Sequence, residues 1–171
     1  MERLYAPWRH DYVTAMPKKK GKRSALKKDC VFCKQIAAKK DDEYFIVRRF
    51  KHCVVMMNYY PYNAGHIMIL PLEHKANLHE LSKVVRAEMM EAVSLCTAVM
   101  EPALTAEGFN VGVNLGSAGG GGLPSHVHIH VLPRWRGDTN FLETIGQTKL
   151  ISANIVTTFK KLKQVFAKVT L

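Results

Sequence analysis

Three histidines stand at alternate positions in one short segment, residues 126–132, which reads HVHIHVL. Alternate residues of a β-strand share a face, so His126, His128 and His130 are predicted to point one way while the apolar residues between them point into the core. A lone histidine beside apolar residues is usually a satisfied core group. Three histidines in register would be costly to bury without a ligand, a metal or a phosphate. They therefore indicate a functional cluster.

Imidazole in such a cluster suits nucleophilic attack on phosphorus. The ring is neutral near pH 7, one nitrogen carries an exposed lone pair, and the phosphoramidate that it forms is labile enough to turn over. A neighbouring histidine can protonate the leaving oxygen. Residues 116–122, which read GSAGGGG, precede the cluster, and their small side chains let backbone N–H groups approach phosphate oxygens. A glycine run alone could be a flexible linker, but in this place it favours a phosphate-binding loop.

The histidine segment resembles the signature of the histidine triad (HIT) family, in which His-x-His-x-His is followed by two apolar residues. The resemblance extends over residues 30–141. Its further matches are Gly65-His66 before a strand, Asn114 before the glycine loop and Pro133-Arg134 after the triad. It implies a HIT-like fold and an enzyme that transfers or hydrolyses nucleotidyl groups through a histidine nucleophile.

The resemblance also implies roles for individual side chains. His128 would become transiently nucleotidylated, His130 would contact the phosphate and help the leaving group depart, and His66 would support the triad. Asn114 would lie near the phosphate and Asn58 near the ribose. The other expected nucleotide or phosphate contacts are Gly120, Gly121, Gly122, His126 and Trp135. The tryptophan is equally well explained as a core or dimer residue.

Three longer segments resemble the diadenosine tetraphosphate phosphorylase-like bacterial branch of the family: residues 58–66, 108–116 and 133–141. One position departs from that branch, which can carry a serine where this chain has Gly122. A hydroxyl contact to phosphate is therefore absent here unless Ser117 or Ser125 supplies it.

Cys30 and Cys33 form a Cys-x-x-Cys pair, the spacing that tetrahedral zinc sites use when one turn supplies two thiolates. Without a secretory signal such a pair indicates metal binding or redox chemistry more than a structural disulfide, and a pair of reduced, unligated cysteines is the plain alternative. The family resemblance implies that His74 and His126 complete the site. Zinc with four protein ligands would be structural, since no position is left open for a substrate.

The hydrophobic patterns along the chain predict the strands and helices that position these residues. Short apolar segments predict strands at residues 43–49, 53–58, 66–70, 109–115 and 126–132. Apolar residues at three- and four-residue steps predict a long helix over 81–104 and a last helix over 152–169. Ser82 is the expected cap of the long helix and Gly108 its terminator. The result is an α+β domain with a mainly antiparallel sheet of about five strands.

Length and composition indicate one globular domain, since 47% of the 171 residues are hydrophobic and 23% are charged. We expect residues 1–29 to form an aromatic arm, with Tyr5 and Trp8, and a basic loop, and residues 30–171 to form the domain. Residues 18–28 supply seven positive charges of a net charge of +11, and such a run is usually a solvated loop. Neither a membrane span nor a signal peptide is indicated, so a cytoplasmic location is expected.

The function predicted from these patterns is phosphorolysis of diadenosine tetraphosphate to ADP and ATP, with inorganic phosphate as second acceptor, by a homodimer that pairs through the long helix and the adjoining sheet. The alternative within the family is a hydrolase of dinucleoside polyphosphates or nucleoside phosphoramidates, in which water replaces phosphate. An alternative of another class is a zinc-stabilised nucleic-acid-binding module that uses the basic run. Arginine and lysine, however, dominate phosphate contacts in such modules, and three histidines in register have no evident use there.

Overall fold

The computed structural model describes residues 29–148 and 150–170. That part of the chain contains α1 (Val31–Ala38), β1 (Ile46–Arg49), β2 (Cys53–Met57), β3 (Ile67–Pro71), α2 (Lys83–Leu104), β4 (Gly108–Val113), β5 (Ile129–Arg134), α3 (Phe141–Thr144) and α4 (Ile155–Phe166), with a 3₁₀ turn at Leu78–Glu80. The expected aromatic arm and basic loop fall outside the described residues. None of the described helices is long and apolar enough to cross a membrane.

The five strands form one sheet in the order β1-β2-β3-β5-β4, and every neighbouring pair is antiparallel. The pairing of β3 with β5 places Met68 beside His130. The predicted α+β domain, with a mainly antiparallel sheet of about five strands, one long helix and a C-terminal helix, is confirmed.

The sheet buries side chains on both faces. On one face Val55, Ile69 and Val131 join a large core with residues of α2 and α4. On the other face Met68 belongs to a smaller cluster with Phe32 of α1. Since paired residues of neighbouring strands share a face, the partner of Met68, His130, also lies on the α1 face. The long helices therefore support the sheet from behind the histidine cluster.

The long helix α2 begins where the sequence predicts it. Ser82 is the N-cap, and its hydroxyl accepts a hydrogen bond from the Val85 N–H at 3.2 Å. The end of α2 differs from the prediction. Thr105, with a φ of 51°, takes the left-handed position that closes the helix, and its N–H donates to the carbonyl of Glu101. The prediction that Gly108 is the terminator is wrong, because that residue already begins β4.

Other boundaries differ from the predicted ones for local reasons. β1 begins at Ile46, later than expected, because residues 41–45 form a turn. The last helix begins at Ile155, since the side chain of Asn154 caps it by accepting hydrogen bonds from the second and third amides that follow. The sequence patterns do not predict α1 or α3, which are only eight and four residues long.

Gly65 lies where the loop before β3 closely approaches the rest of the domain. Its φ is +73°, and a Cβ there would lie 2.8 Å from Leu104 Cδ1 and 3.1 Å from Pro133 Cγ. We predict that Gly65→Ala lowers the free energy of unfolding by about 1–3 kcal/mol, since a side chain disfavours both this backbone and these contacts. Gly108→Ala is the matched control, because a Cβ there meets nothing within 4 Å. Equal stability of the two variants in chemical denaturation would contradict the prediction.

Candidate functional site

The histidine segment keeps the alternation that its sequence predicts. Val127 is buried in the large core, and its N–H donates a backbone hydrogen bond to the connection between β3 and α2. His126, His128 and His130 lie on the other face and are 0%, 7% and 5% exposed. Among the three, only His130 belongs to β5, so the strand predicted from residue 126 is too long at its start. Although the backbone bends at His126 before β5, the imidazoles of His126 and His128 both contact Phe32 of α1, so all three histidines remain on the α1 face.

The hydrogen position on His128 follows from its surroundings. Its Nδ1 lies 2.8 Å from the carbonyl oxygen of His126. A carbonyl can only accept, so Nδ1 carries the hydrogen and Nε2 of the neutral ring keeps its lone pair. Burial lowers the pKa of His128, and the bond to His126 partly offsets this effect. The ring is therefore neutral near pH 7, with Nε2 available as a nucleophile.

His66 and His130 form a directed chain of hydrogen bonds. The backbone N–H of Tyr62 donates to His66 Nδ1 at 3.1 Å, which leaves the hydrogen of that ring on Nε2. His66 Nε2 donates in turn to His130 Nδ1 at 2.8 Å. The hydrogen of His130 is therefore on Nε2, and this buried atom has no hydrogen-bond partner within the described part of the chain. His130 thus offers an N–H donor to whatever occupies the site.

The His66 and His130 imidazoles are neutral because burial keeps water from them. Burial lowers the pKa of His66 to about 3 and the pKa of His130 to about 4, with smaller contributions from neighbouring imidazoles. The rings of His66 and His130 are 5.0 Å apart between centroids, and those of His128 and His130 are 4.7 Å apart. Positive charge on two neighbouring rings would be strongly unfavourable at such separations. Near neutral pH the N–H hydrogen of each imidazole is therefore on one defined nitrogen, Nε2 in both His66 and His130.

The two predicted asparagines differ in how closely they are tied to the triad. The side-chain amide of Asn58 lies 3.3 Å from His66 Nδ1, and its Oδ1 accepts from the N–H of Tyr60 at 3.0 Å. Asn114 is partly buried at the start of the glycine loop, where its carbonyl would lie 3.3 Å from a Cβ on Gly121. The structure thus brings Asn58 to the triad through His66, and Asn114 to the loop.

Trp135 follows β5, and its side chain lies beside the C-terminal end of α2. Its indole N–H donates to the carbonyl of Leu104 at 3.3 Å. Beside it is a cavity of about 430 Å³, which Gly65, Asp138 and Lys161 also line. The hydrogen bond to Leu104 therefore favours a structural role for Trp135 at the end of α2 over a role in binding a nucleotide.

The glycine loop turns tightly on itself. Gly116 and Gly120 have φ values of +68° and +82°, a backbone conformation that favours glycine. The N–H groups of Gly120 and Gly121 donate to carbonyls of Ser117 and Gly116, both at 3.2 Å. These two amides can reach a phosphate only by exchanging those partners. Gly122 stands in open space, where a Cβ would meet nothing within 4 Å, so the loop has room for the serine of related sequences.

Four predicted metal ligands lie together. One ligand atom from each of Cys30, Cys33, His74 and His126 falls within 4.8 Å of all the others. The Cys33 Sγ lies 3.3 Å from His74 Nδ1 and 3.5 Å from His126 Nδ1, and the Cys30 Sγ lies 3.5 Å from the same His126 nitrogen. Zinc–sulfur bonds of about 2.3 Å and zinc–nitrogen bonds of about 2.0–2.1 Å in a tetrahedron place sulfur and nitrogen about 3.6 Å apart. The donor set and its spacing therefore fit zinc.

The orientation of His126 supports the same assignment. Its Nε2 lies 3.0 Å from the carbonyl oxygen of Pro71 and must donate to it. The lone pair of the neutral ring is then on Nδ1, which faces both cysteines. Burial, the largest cause, lowers the pKa of His126 to about 4, so Nδ1 is unprotonated near pH 7. Cys30 is the N-cap of α1, and the site thereby joins α1 to the histidine segment.

A clamp of hydrogen bonds beside the site was not predicted from the sequence patterns. The Asn63 side-chain amide donates to the carbonyl of Pro133 at 3.1 Å and to an Asp138 carboxylate oxygen at 2.8 Å. Asp138 also accepts two hydrogen bonds from the Arg134 guanidinium, which holds the pKa of that carboxyl well below its usual range. The clamp ties the loop that carries His66 to the end of β5. All four residues lie in segments that match the family branch, but the match alone does not indicate this contact.

Comparison with known proteins agrees with this geometry. Residues 39–137 match the model of the HIT domain. The chain belongs to the HIT domain family. It is 37% identical over 151 residues to a protein of Mycobacterium tuberculosis (strain H37Rv) named AP-4-A phosphorylase, and the match covers 88% of this chain and 77% of that protein. The resemblance to this family, inferred from the histidine segment, is confirmed.

Solved structures of other proteins share the fold of this chain. A zinc-bound histidine triad family protein from Mycobacterium smegmatis aligns with a TM-score of 0.69 at 21% identity, over 84% of this chain and 96% of that one. A Plasmodium falciparum diadenosine triphosphate hydrolase in complex with cyclomarin A aligns with a TM-score of 0.59 at 17% identity, over 74% and 76% of the two chains. At these identities the likeness bears on the fold, which agrees with the predicted HIT-like architecture. Cys30 and Cys33 precede the part of the HIT domain that the family model matches.

Proposed function

We propose that this protein is a nucleotidyl transferase that cleaves dinucleoside polyphosphates, with phosphorolysis of diadenosine tetraphosphate to ADP and ATP as its reaction. One observation carries the proposal: Nδ1 of His128 is held by the His126 carbonyl, which leaves Nε2 of a neutral, buried imidazole as a nucleophile. The identity of 37% to a protein named AP-4-A phosphorylase supports the substrate class.

In the first step His128 Nε2 attacks the α-phosphorus of one adenosine. The nitrogen–phosphorus bond forms, the bond from phosphorus to the bridging oxygen breaks, and its electron pair leaves with ATP. The ring gains positive charge as it becomes nucleotidylated. The His126 carbonyl, 2.8 Å from Nδ1, stabilises that charge because its hydrogen bond strengthens as the ring becomes a better donor.

The leaving oxygen is stabilised by His130. Its Nε2–H is buried and has no partner within the described residues, so it can donate to the oxygen on which charge develops. The hydrogen bond from His66 Nε2 to His130 Nδ1 keeps the His130 hydrogen on the side that faces the substrate. Asn58, Asn114 and the glycine-loop amides are the proposed contacts to the ribose and to the nonbridging oxygens, and a well-placed donor of this kind can contribute about 3 kcal/mol.

In the second step an oxygen of inorganic phosphate attacks the same phosphorus from the face that ATP has left. The new oxygen–phosphorus bond forms, the bond to Nε2 breaks, and ADP is released with His128 restored. If water is the acceptor instead, the products are AMP and ATP. The hydrolase alternative thus shares every residue with the proposed reaction, and the second acceptor alone distinguishes the two.

The proposal includes a homodimer. β4 is an edge strand, and its residues Asn110, Val111 and Gly112 are exposed, which leaves backbone groups free to pair with a second copy. Exposed apolar residues on α2, Val84 at 63% and Met90 at 58%, offer further surface for such a contact. We predict a dimer at micromolar concentration, and light scattering that finds a monomer would contradict this part of the proposal.

The reaction predicts a specific product pattern. With diadenosine tetraphosphate and inorganic phosphate, the wild type should form ADP and ATP in equal amounts, because the adenylyl group passes to phosphate. His128→Asn should reduce turnover by roughly a thousandfold or more, since an amide cannot form the covalent intermediate and nucleophile loss has effects of that order. Chromatographic analysis of products with and without phosphate measures both.

A matched control for His128→Asn is His79→Asn, an exposed histidine on the 3₁₀ turn before α2. This variant should keep wild-type activity, and circular dichroism should show both variants folded. AMP and ATP as products, unchanged by added phosphate, would replace the phosphorylase proposal with the hydrolase. Near-normal turnover by folded His128→Asn would overturn the assignment of the nucleophile.

We further propose that zinc occupies the site formed by Cys30, Cys33, His74 and His126, in a structural role. The wild type should contain about one zinc per chain, and Cys30→Ser should lose the metal and lower Tm by about 10 °C, since zinc binding contributes several kcal/mol to folding in such sites. Cys53→Ala is the control, because Cys53 is a buried thiol of the large core. It should retain zinc despite any loss of stability. Absence of zinc from the wild type by elemental analysis would refute the site.

A further inference from the structure

The Tyr62 ring lies across the hydrogen-bonded histidine pair. Its centroid is 4.6 Å from the His66 ring, with an interplanar angle of 46°, and 5.4 Å from the His130 ring, with an angle of 35°. The same residue donates its backbone N–H to His66 Nδ1. Tyr62 therefore contacts the imidazoles of both His66 and His130, and it also determines the tautomer of His66.

Tyr62 separates these imidazoles from solvent. The tyrosine is 51% exposed, whereas His66 and His130 are 0% and 5% exposed. An aromatic ring half in water and half on two buried rings is a cover rather than a core residue. The hydrogen bond from His66 Nε2 to His130 Nδ1 is buried and joins the two imidazoles that the Tyr62 ring contacts, so we infer that the ring helps to keep competing water from it.

We propose that Tyr62 is a positioning residue of the reaction: its ring holds the His130 imidazole in the orientation that presents Nε2–H to the leaving oxygen. The inference rests on the proposed nucleotidyl transfer and deepens it, because it assigns leaving-group assistance to a pair of histidines that act under an aromatic cover. Tyr62 itself touches neither substrate nor phosphorus in this role.

The physical argument concerns the freedom of His130. One nitrogen of its ring accepts from His66, and the other has no partner within the described residues. Without the Tyr62 ring, water can reach the His66–His130 hydrogen bond, and the His130 imidazole can rotate about its side-chain bonds. The donor then points at the leaving oxygen for only part of the time. The loss falls on the chemical step and leaves ground-state binding nearly unchanged.

The test compares two aryl leaving groups that differ in the basicity of the leaving oxygen. Phenyl and 4-nitrophenyl esters of AMP release different oxygens: phenolate is a poor leaving group that needs a donor, whereas the nitro group withdraws charge from 4-nitrophenolate. Tyr62→Ala should lower kcat for the phenyl ester roughly tenfold and kcat for the nitrophenyl ester less than about twofold, with KM little changed. Tyr62→Phe should restore both rates, since the proposal requires the ring and not the hydroxyl.

Tyr60→Ala is the matched control, because Tyr60 stands in the same loop, is 82% exposed, and has its recorded ring contact with Tyr59 rather than with a histidine. It should leave both rates at wild-type values. Equal losses for the two esters in Tyr62→Ala, or no loss for either, would overturn the proposal. A loss that Tyr62→Phe does not restore would also overturn it, because the hydroxyl would then be the active group.

A failure of the proposed function has a different signature. If the wild type transfers the adenylyl group from neither ester, nucleotidyl transfer is wrong whatever Tyr62 does. The ¹⁵N resonances of the His66 and His130 rings then test the positioning role alone. Each ring should show one tautomer in the wild type and in Tyr62→Phe, and an averaged tautomer for His130 in Tyr62→Ala. Unchanged ring resonances in Tyr62→Ala would contradict the positioning role.

Discussion

The site depends on the placement of His126, because this residue serves two groups of side chains with different atoms. Its carbonyl accepts the Nδ1–H of His128 and so leaves the lone pair on His128 Nε2, the proposed nucleophile. Its side chain donates to the Pro71 carbonyl through Nε2 and turns Nδ1 toward the two cysteines. A shift of this residue would therefore disturb the four candidate metal ligands and the proposed nucleophile together. The coupling arises because the carbonyl and the imidazole of this one residue each have their own hydrogen-bond partner, His128 for the carbonyl and Pro71 for the imidazole.

Burial supplies the second constraint on the chemistry. A protonated His128 could not attack phosphorus, and a protonated His66 could not accept the Tyr62 N–H. Low exposure prevents both, since it disfavours the charged form of each ring, and the short distances between rings act in the same direction. In the proposed reaction, charge then appears only where a bond is made or broken, on His128 during attack and on the leaving oxygen. Those are the two places where a carbonyl acceptor and an N–H donor already stand.

The sequence predicts those parts of the site that depend on periodicity. Alternation over residues 126–132 places the three histidines on one face, and the spacing of apolar residues predicts α2 and its cap at Ser82. Parts that depend on contacts between distant segments have no such signal. Neither the Asn63–Asp138 clamp nor the position of the Tyr62 ring follows from spacing, because loops carry no period. Gly108 shows the related difficulty that a glycine can begin a strand as well as end a helix.

The proposed role of His130 requires that the loop that carries His66 is held in place, because His66 donates the hydrogen bond that orients the His130 ring. Gly65 allows the loop to approach Leu104 and Pro133 more closely than any side chain would, and Asn63 attaches it to Asp138 after the end of β5. The chain from Tyr62 to His130 is thereby fixed to the same strand that carries His130. In the glycine loop, by contrast, the Gly120 and Gly121 amides donate to carbonyls of the same loop. In the proposed reaction the loop that carries His66 therefore orients the N–H donor of His130, whereas a phosphate must displace hydrogen bonds within the glycine loop to reach its amides.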